Sequence, residues 1–149
     1  MTVTTTTHLN FAGTARAALD FYAEVFGGTV TAATYGDFGM PADVPGADKV
    51  VFGQIAGGPI ALMAYDIPGA TDAPAGVTAG TTRRENGVTI TDRPFFQSLR
   101  ASSLDELTGY WEALAVGATV VEPLAAAAWS AGFGMLTDRF GVTWVLDVA

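Results

Sequence analysis

Hydrophobic and polar positions at the start of the chain predict a strand followed by a helix. Residues 6–11 alternate in character and are rich in Thr, which is typical of a strand. Apolar residues then recur at helical spacing, which predicts a helix that begins after Thr14 and ends at Gly27. The apolar stripe of this helix consists of Ala15, Leu19, Tyr22 and Phe26, with Ala18, Phe21 and Val25 beside it.

The same order returns in the second half of the chain. Residues 95–101 are a strand candidate, and Ser102-Ser103 followed by two acidic residues predicts a helix start, because hydroxyls and carboxylates satisfy the free N–H groups of a first turn. Gly117 ends this helix at an offset of 90 residues from Gly27, and a Thr-Val pair follows each glycine at the same distance. The buried stripe of the second helix consists of Leu104, Leu107, Trp111 and Leu114.

Three strand-like runs follow each helix, so the pattern predicts an α+β fold with two tandem β-α-β-β-β modules, each covering one face of a shared cleft. The predicted bounds are 1–66 for module one, 67–92 for a linker and 93–149 for module two, within a single domain of 1–149. Inside the linker, Glu85-Asn86-Gly87-Val88 is either a tight hairpin turn or part of a mobile crossover loop. The six runs are 29–35, 49–55, 60–65, 119–123, 134–137 and 142–148.

Composition narrows the classes of function. The 149-residue chain is 50% hydrophobic and 15% charged, and it has no Cys, so disulfides and thiolate zinc sites are excluded. Its net charge of −8 disfavours nucleic-acid partners, because an acidic surface repels phosphate backbones. The first residues lack the pattern of a secretory signal, and no apolar run reaches the roughly 18 residues of a membrane span. We therefore expect a cytoplasmic protein with no membrane partner.

Two sequence signatures resemble the PhnB-like branch of the glyoxalase/bleomycin-resistance (vicinal oxygen chelate, VOC) superfamily. The first consists of residues 8–11, 17–22 and 25–28, and the second of residues 129–134 and 137–144. The resemblance implies curled mixed sheets around a pocket and a homodimer. Functions in the superfamily range from metal-dependent lyases, epimerases and dioxygenases to metal-free proteins that sequester a drug, so the fold does not fix the activity.

The resemblance also implies where a metal would be held. Enzymes of the superfamily take one ligand, usually His or Glu, from the first and last strands of each module. In this chain the four places fall near His8, Leu62, Gln97 and Val145. Leucine and valine cannot coordinate, although Asp147 points to the same face as Val145 and could stand in. A tight transition-metal site generally needs three protein ligands, so we predict no divalent metal and no other cofactor.

Several side chains are candidates for lining the cleft, and no catalytic residue is assigned. Trp129 and Phe133 flank the small residues 130–132, which leave room for a flat ligand. His8, the only histidine, either donates to a neighbouring carbonyl or serves as a polar contact or general base. The Asp138-Arg139 pair is expected in a solvated hairpin turn. The predicted ligand-binding residues are His8, Gln97, Trp129, Phe133, Tyr35 and Met63.

The leading hypothesis is a metal-free homodimer that binds an unknown small apolar or aromatic molecule. The alternative is a metal-dependent lyase or dioxygenase with His8, Gln97 and Asp147 around the ion. A third possibility is an interaction module whose cleft is filled by its own side chains, and the absence of a cavity above roughly 300 Å³ would favour it.

Overall fold

The computed structural model describes residues 2–70 and 80–149. The chain forms two compact units, Met1–Pro74 and Ala75–Ala149. Each unit contains one α-helix and one four-stranded sheet in the order strand, helix, three strands. The predicted α+β fold with two β-α-β-β-β modules is therefore confirmed. In the part of the chain that the structure describes, no helix is long and apolar enough to cross a membrane.

The first unit is a mixed sheet with one helix on it. Its parallel pair joins the first and last strands, and the other pairings are antiparallel, in the order β1-β4-β3-β2. A short 3-10 helix, Gly36–Phe38, follows the second strand. The elements are β1 (Thr7–Phe11), α1 (Ala15–Phe26), β2 (Thr29–Thr34), β3 (Val50–Ala56) and β4 (Leu62–Asp66).

The N-terminus of α1 is capped by a carboxylate at the end of β4, beside the end of β1. Thr14 makes no side-chain cap. Instead, the backbone N–H groups of Gly13 and Ala15 donate to Asp66 Oδ1 at 3.0 and 2.9 Å, and Val50 N donates to Asp66 Oδ2 at 2.9 Å. This buried carboxylate satisfies donors that a helix start leaves free, and it connects α1 to β3 and β4.

Packing between α1 and its sheet depends on one glycine. A Cβ at Gly53 of β3 would lie 2.5 Å from Leu19 Cδ1 and 3.1 Å from the Ala64 carbonyl oxygen. Leu19 is fully buried in consequence of this close approach. The residues of β1 and β4 that share this face, Leu9 and Ala64, are buried as well.

The second unit repeats this arrangement after an additional hairpin. The sheet order is β7-β10-β9-β8, again with a parallel pair between the first and last strands of the module. The elements are β5 (Arg83–Glu85), β6 (Val88–Ile90), β7 (Gln97–Ala101), α2 (Leu104–Ala115), β8 (Thr119–Ala127), β9 (Ser130–Thr137) and β10 (Thr143–Val148).

Strand β8 continues past the end that the sequence predicts at Pro123. Proline removes a ladder donor, but it is tolerated on an edge strand, and β8 is at the edge of this sheet. Register shifts between Val120 and Ala127 show how the strand accommodates it. Strand β9 consequently begins at Ser130 rather than at residue 134.

Of the two interpretations of residues 85–88, the structure has the hairpin. Arg83, Arg84 and Glu85 pair with Ile90, Thr89 and Val88. Asn86 and Gly87 both have positive φ, at 51° and 76°, as a two-residue turn between antiparallel strands requires. This hairpin lies within the segment predicted as a linker, of which residues 71–79 are outside the described residues. The module bounds themselves stay predictions.

The expectation that Asp138 is solvated is wrong. Its side chain is fully buried, because it organises the turn between β9 and β10. Phe140 N and Val142 N donate to Asp138 Oδ1 at 2.8 and 3.1 Å, and Trp144 Nε1 donates to Oδ2 at 2.9 Å. Arg139 beside it is exposed, as expected.

Candidate functional site

On the first sheet, the side chains of β1 and β4 that point away from α1 are three polar or aromatic groups and one methionine. His8 of β1 is the register neighbour of Met63 of β4, and Asn10 is the neighbour of Tyr65. Alternate residues of a strand point to opposite faces, so these four share one face while Leu9 packs on the α1 side. The structure therefore brings together two of the predicted ligand-binding residues, His8 and Met63.

His8 has a defined orientation although its side chain is exposed. Its Nδ1 lies 3.1 Å from Asn10 Oδ1, and its ring meets the Tyr65 ring edge-on, with 5.3 Å between the centroids. A proton on Nδ1 would be donated to Asn10, which leaves Nε2 with a lone pair that faces away from this contact. The bonded partner is thus a side-chain amide and not the backbone carbonyl that the sequence suggested as one alternative.

Tyr35 lies elsewhere in the first unit, in the wall of a cavity of about 480 Å³. Its hydroxyl donates to the main-chain oxygen of Asp66 at 2.6 Å. Burial raises the pKa of Tyr35, and the negative charges on Tyr65 and Asp66 raise it further. Lys49 also lines the cavity, and its Nζ donates to Gly13 O at 3.1 Å. The remaining wall is largely apolar and includes Met40, Pro45, Ile67, Pro68 and Ala70.

In the second unit, an arginine and two aromatic rings form a row. The Arg84 guanidinium carbon lies 5.1 Å from the centroid of the Phe133 ring, at cation–π distance. The Trp129 ring also contacts Phe133, with 5.3 Å between the centroids and an angle of 67° between the ring planes, and Trp129 is 64% exposed. The structure therefore brings together Trp129 and Phe133, as predicted, and adds Arg84. We refer to these three residues as the arginine–aromatic row.

Gln97 does not share a face with Phe133. It is the register neighbour of Trp144, and the residues on that side of the sheet pack against α2. The space beside the small residues of β9 is also on that side: a Cβ at Gly134 would lie 2.8 Å from Trp111 Cζ3, and one at Gly132 would lie 2.7 Å from a methyl carbon of Leu104. This space is occupied by α2 and is not open to a ligand.

Asp147 is engaged in an ion pair. Arg100 Nε donates to Asp147 Oδ1 at 3.1 Å, and Arg100 Nη2 donates to Oδ2 at 2.8 Å. The hydrogen bond from Arg100 and the charge of Asp147 raise the pKa of the Arg100 guanidinium. Both carboxylate oxygens thus have a cationic donor, and a metal ion would have to displace it.

Comparison with known proteins decides the family. The family model for the Glyoxalase/Bleomycin resistance protein/Dioxygenase superfamily matches residues 7–146. The chain belongs to this superfamily. No curated protein sequence matches it.

Solved structures give the same result. Protein PA1353 from Pseudomonas aeruginosa is 32% identical, with a TM-score of 0.76 and coverage of 99% of this chain and 98% of that one. The PhnB protein from Bacillus cereus is 22% identical, with a TM-score of 0.71 and coverage of 99% and 100%. A glyoxylase/bleomycin resistance protein/dioxygenase domain from Frankia sp. EAN1pec is 14% identical, with a TM-score of 0.58 and coverage of 100% and 98%. The resemblance to the PhnB-like branch is therefore confirmed, and the more distant likenesses show the fold.

The strand positions at which VOC enzymes hold a metal do not form a donor set in this VOC protein. On the sheet faces that point away from the helices, the register neighbours are His8 with Met63, and Ser98 with Val145. Only the imidazole is a strong ligand for a divalent transition metal. Across residues 2–70 and 80–149, no three His, Asp or Glu side chains are grouped so that they could hold an ion. The residues present do not fit a metal centre.

Sequence reasoning missed Arg84, Tyr65 and Lys49. Arg84 could have been found from the Asn-Gly turn, because that turn fixes which of Arg83 and Arg84 shares a face with Thr89. Tyr65 could have been found from its spacing of two residues from Met63. For Lys49 the sequence gives no signal beyond its being the only lysine.

Proposed function

We propose that this VOC protein binds a small apolar or aromatic molecule and does so without a metal ion. The observation that carries the proposal is the residue set at the family's metal positions, where Met63, Ser98 and Val145 stand beside a single imidazole. A fold of this superfamily without a ligating set retains a binding surface but lacks the Lewis acid of its enzymes.

Two features of the units support binding of a small molecule. The cavity beside Tyr35, at about 480 Å³, is within the range of small-molecule pockets, about 300–1,000 Å³, and its wall is mostly apolar. The exposed Trp129 and its neighbour Phe133 offer a flat aromatic surface. The cavity argues against the interaction module, for which no such cavity is expected.

A thermal-shift screen of small aromatic and apolar compounds tests the proposal. We expect at least one class of compound to raise the melting temperature in proportion to the logarithm of its concentration. For a compound that binds on the face of β1 and β4 that carries His8, His8→Ala should weaken binding while changing the free energy of unfolding by less than about 0.5 kcal/mol, because the side chain is exposed. Arg16→Ala, at an exposed position on α1, is the matched control that should change neither. A screen without any hit, together with a rise in melting temperature on addition of divalent metals, would contradict the proposal.

The homodimer and the cytoplasmic location belong to the same proposal. The homodimer rests on what is usual for the PhnB-like branch. Analytical ultracentrifugation of the purified chain should give twice the monomer mass of 15.4 kDa, and a monomer at all concentrations would contradict this part.

A further inference from the structure

Arg84 has one donor that the protein leaves without a partner. Its Nη1 donates to Thr89 Oγ1 at 2.8 Å across the hairpin. Its Nε is buried and has no hydrogen-bond partner, and within the described residues it is the one buried side-chain nitrogen or oxygen in that state. A buried donor without a partner costs stability, and the cost is larger for a charged group. Such an atom needs an explanation.

Among residues 2–70 and 80–149, Arg84 also has no carboxylate as a counter-ion. Arg16, Arg83, Arg93 and Arg100 each pair with a carboxylate in the described part of the chain. Arg84 has only Thr89 and the face of Phe133, although the chain as a whole carries an excess of acidic residues. In the described part of the chain, the cation is thus held in place by neutral groups only.

The surroundings of Arg84 indicate what kind of molecule would compensate it. Thr89 fixes one end of the guanidinium, and its Oγ1 lies 3.7 Å from Met135 Sδ, so the hairpin is attached to the sheet at this point. The guanidinium lies over the Phe133 ring, and Phe133 in turn contacts Trp129, which is 64% exposed. A planar anion matches the fork of an arginine, and an aromatic ring matches an exposed indole.

We propose that the arginine–aromatic row binds an aromatic carboxylic acid, with the carboxylate on Arg84 and the ring against Trp129. This inference rests on the proposed function, since it names the chemical class of the small molecule. A carboxylate supplies the negative charge that the described surroundings of Arg84 do not provide, whereas a neutral aromatic compound supplies none.

A pair of probes that differ only in charge tests the inference. Binding of 2-naphthoate and of 2-naphthamide is measured by titration calorimetry at fixed ionic strength. With the unmodified protein we expect the acid to bind at least tenfold more tightly than the amide. Because this comparison needs no variant, it does not depend on how well any substituted protein folds.

Variants then assign the difference to Arg84. Arg84→Met should weaken binding of the acid at least tenfold and that of the amide less than twofold. Arg84→Lys, which keeps the charge but has no Nε donor in a planar fork, should fall between. Arg83→Met is the matched control, because the neighbouring Arg83 pairs with Glu85 at the exposed edge of the hairpin, and it should leave both probes unchanged. Trp129→Ala should weaken both probes.

The outcomes separate this inference from the proposed function. If the acid and the amide bind equally, if neither binds, or if Arg84→Met leaves binding of the acid unchanged, the inference is wrong. In those cases the proposed function still holds when the compound screen yields other ligands, and it fails with the inference when the screen yields none and divalent metals raise the melting temperature.

Discussion

At the residue scale, Asp138 is a buried carboxylate on which a turn depends. Its two oxygens accept from two backbone N–H groups and from the Trp144 indole, and both side chains are buried. We expect Asp138→Asn to destabilise the protein by about 1–3 kcal/mol. The substitution replaces one acceptor oxygen with an NH₂ group, which cannot accept a hydrogen bond, so at least one buried donor is left without a partner. Urea unfolding monitored by circular dichroism gives the change in the free energy of unfolding.

A double-mutant cycle with Trp144→Phe separates the indole contact from the backbone contacts. If the lost bond is the one to Trp144 Nε1, Asp138→Asn should cost less in the Trp144→Phe background, since no indole donor is left unpaired. Equal costs in both backgrounds would assign the effect to Phe140 and Val142 instead. The exposed Asp20→Asn serves as the control and should cost less than about 0.5 kcal/mol.

Tyr35 predicts a dependence of stability on alkaline pH. Its pKa is raised in the folded protein above the ordinary value of 10.0, chiefly by burial. Because the folded protein binds this proton more tightly than the unfolded chain, the protonated hydroxyl contributes its full stabilisation below pH 10. The contribution is lost as the pH rises through the pKa of the folded protein. We expect Tyr35→Phe to lower the free energy of unfolding by about 0.5–1.5 kcal/mol at pH 7, because the variant lacks the hydroxyl that donates to the Asp66 main-chain oxygen.

The test of Tyr35 is the slope of stability against pH. Between pH 9 and pH 11 the free energy of unfolding should fall less steeply in Tyr35→Phe than in the unmodified protein. Tyr110→Phe is the control for the general effect of alkaline pH on a tyrosine-containing chain. Identical slopes for Tyr35→Phe and the unmodified protein would contradict the assignment.

At the element scale, two glycines predict opposite effects of the same substitution. A Cβ at Gly134 would lie 2.8 Å from Trp111 Cζ3 and 3.0 Å from the Leu124 backbone, so Gly134→Ala forces β9, β8 or α2 to move and should cost about 1–3 kcal/mol. Gly109 lies within α2 with nothing within 4 Å of the added atom. Gly109→Ala should stabilise by about 1 kcal/mol, since alanine favours helix. Thermal unfolding of the two variants measures the difference, and a loss of stability in Gly109→Ala would contradict it.

The elements could be predicted from the sequence, whereas the faces that carry the site could not. Local signals such as Ser103 before α2, whose hydroxyl accepts from Glu106 N at 3.3 Å, fix where helices begin. Whether Gln97 or its neighbour Ser98 points away from α2 depends on a register shift of one residue, which sequence patterns do not resolve. Asp138 was misjudged for a related reason: its acceptor role depends on where Trp144 lies, and that is a tertiary contact.

At the scale of the whole molecule, two units of the same topology carry different chemistry. The first has an imidazole, a tyrosine and an apolar cavity, and the second has an arginine over aromatic rings. In each unit, the parallel strands carry one pair of register neighbours at the family's metal positions, facing away from the helix. These pairs, His8 with Met63 and Ser98 with Val145, each contain at most one group able to ligate a transition metal. The two units thus share the topology of their sheets, while the side chains at these positions differ between them and do not form a set of metal ligands.

Metal removal tests this difference for the whole chain. Dialysis against a chelator should leave the melting temperature and the affinity for small-molecule ligands unchanged, because His8 is the only strong ligand at the four positions and Asp147 is held by Arg100. Elemental analysis should find substoichiometric zinc, nickel, iron and manganese. Stoichiometric metal that is lost in both His8→Ala and Asp147→Asn would instead support a metal-dependent lyase or dioxygenase, since those variants remove the two ligands that such an enzyme would need. Asp20→Asn controls for weak binding of cations to the acidic surface, because it changes the charge equally at a site that has no role in either function.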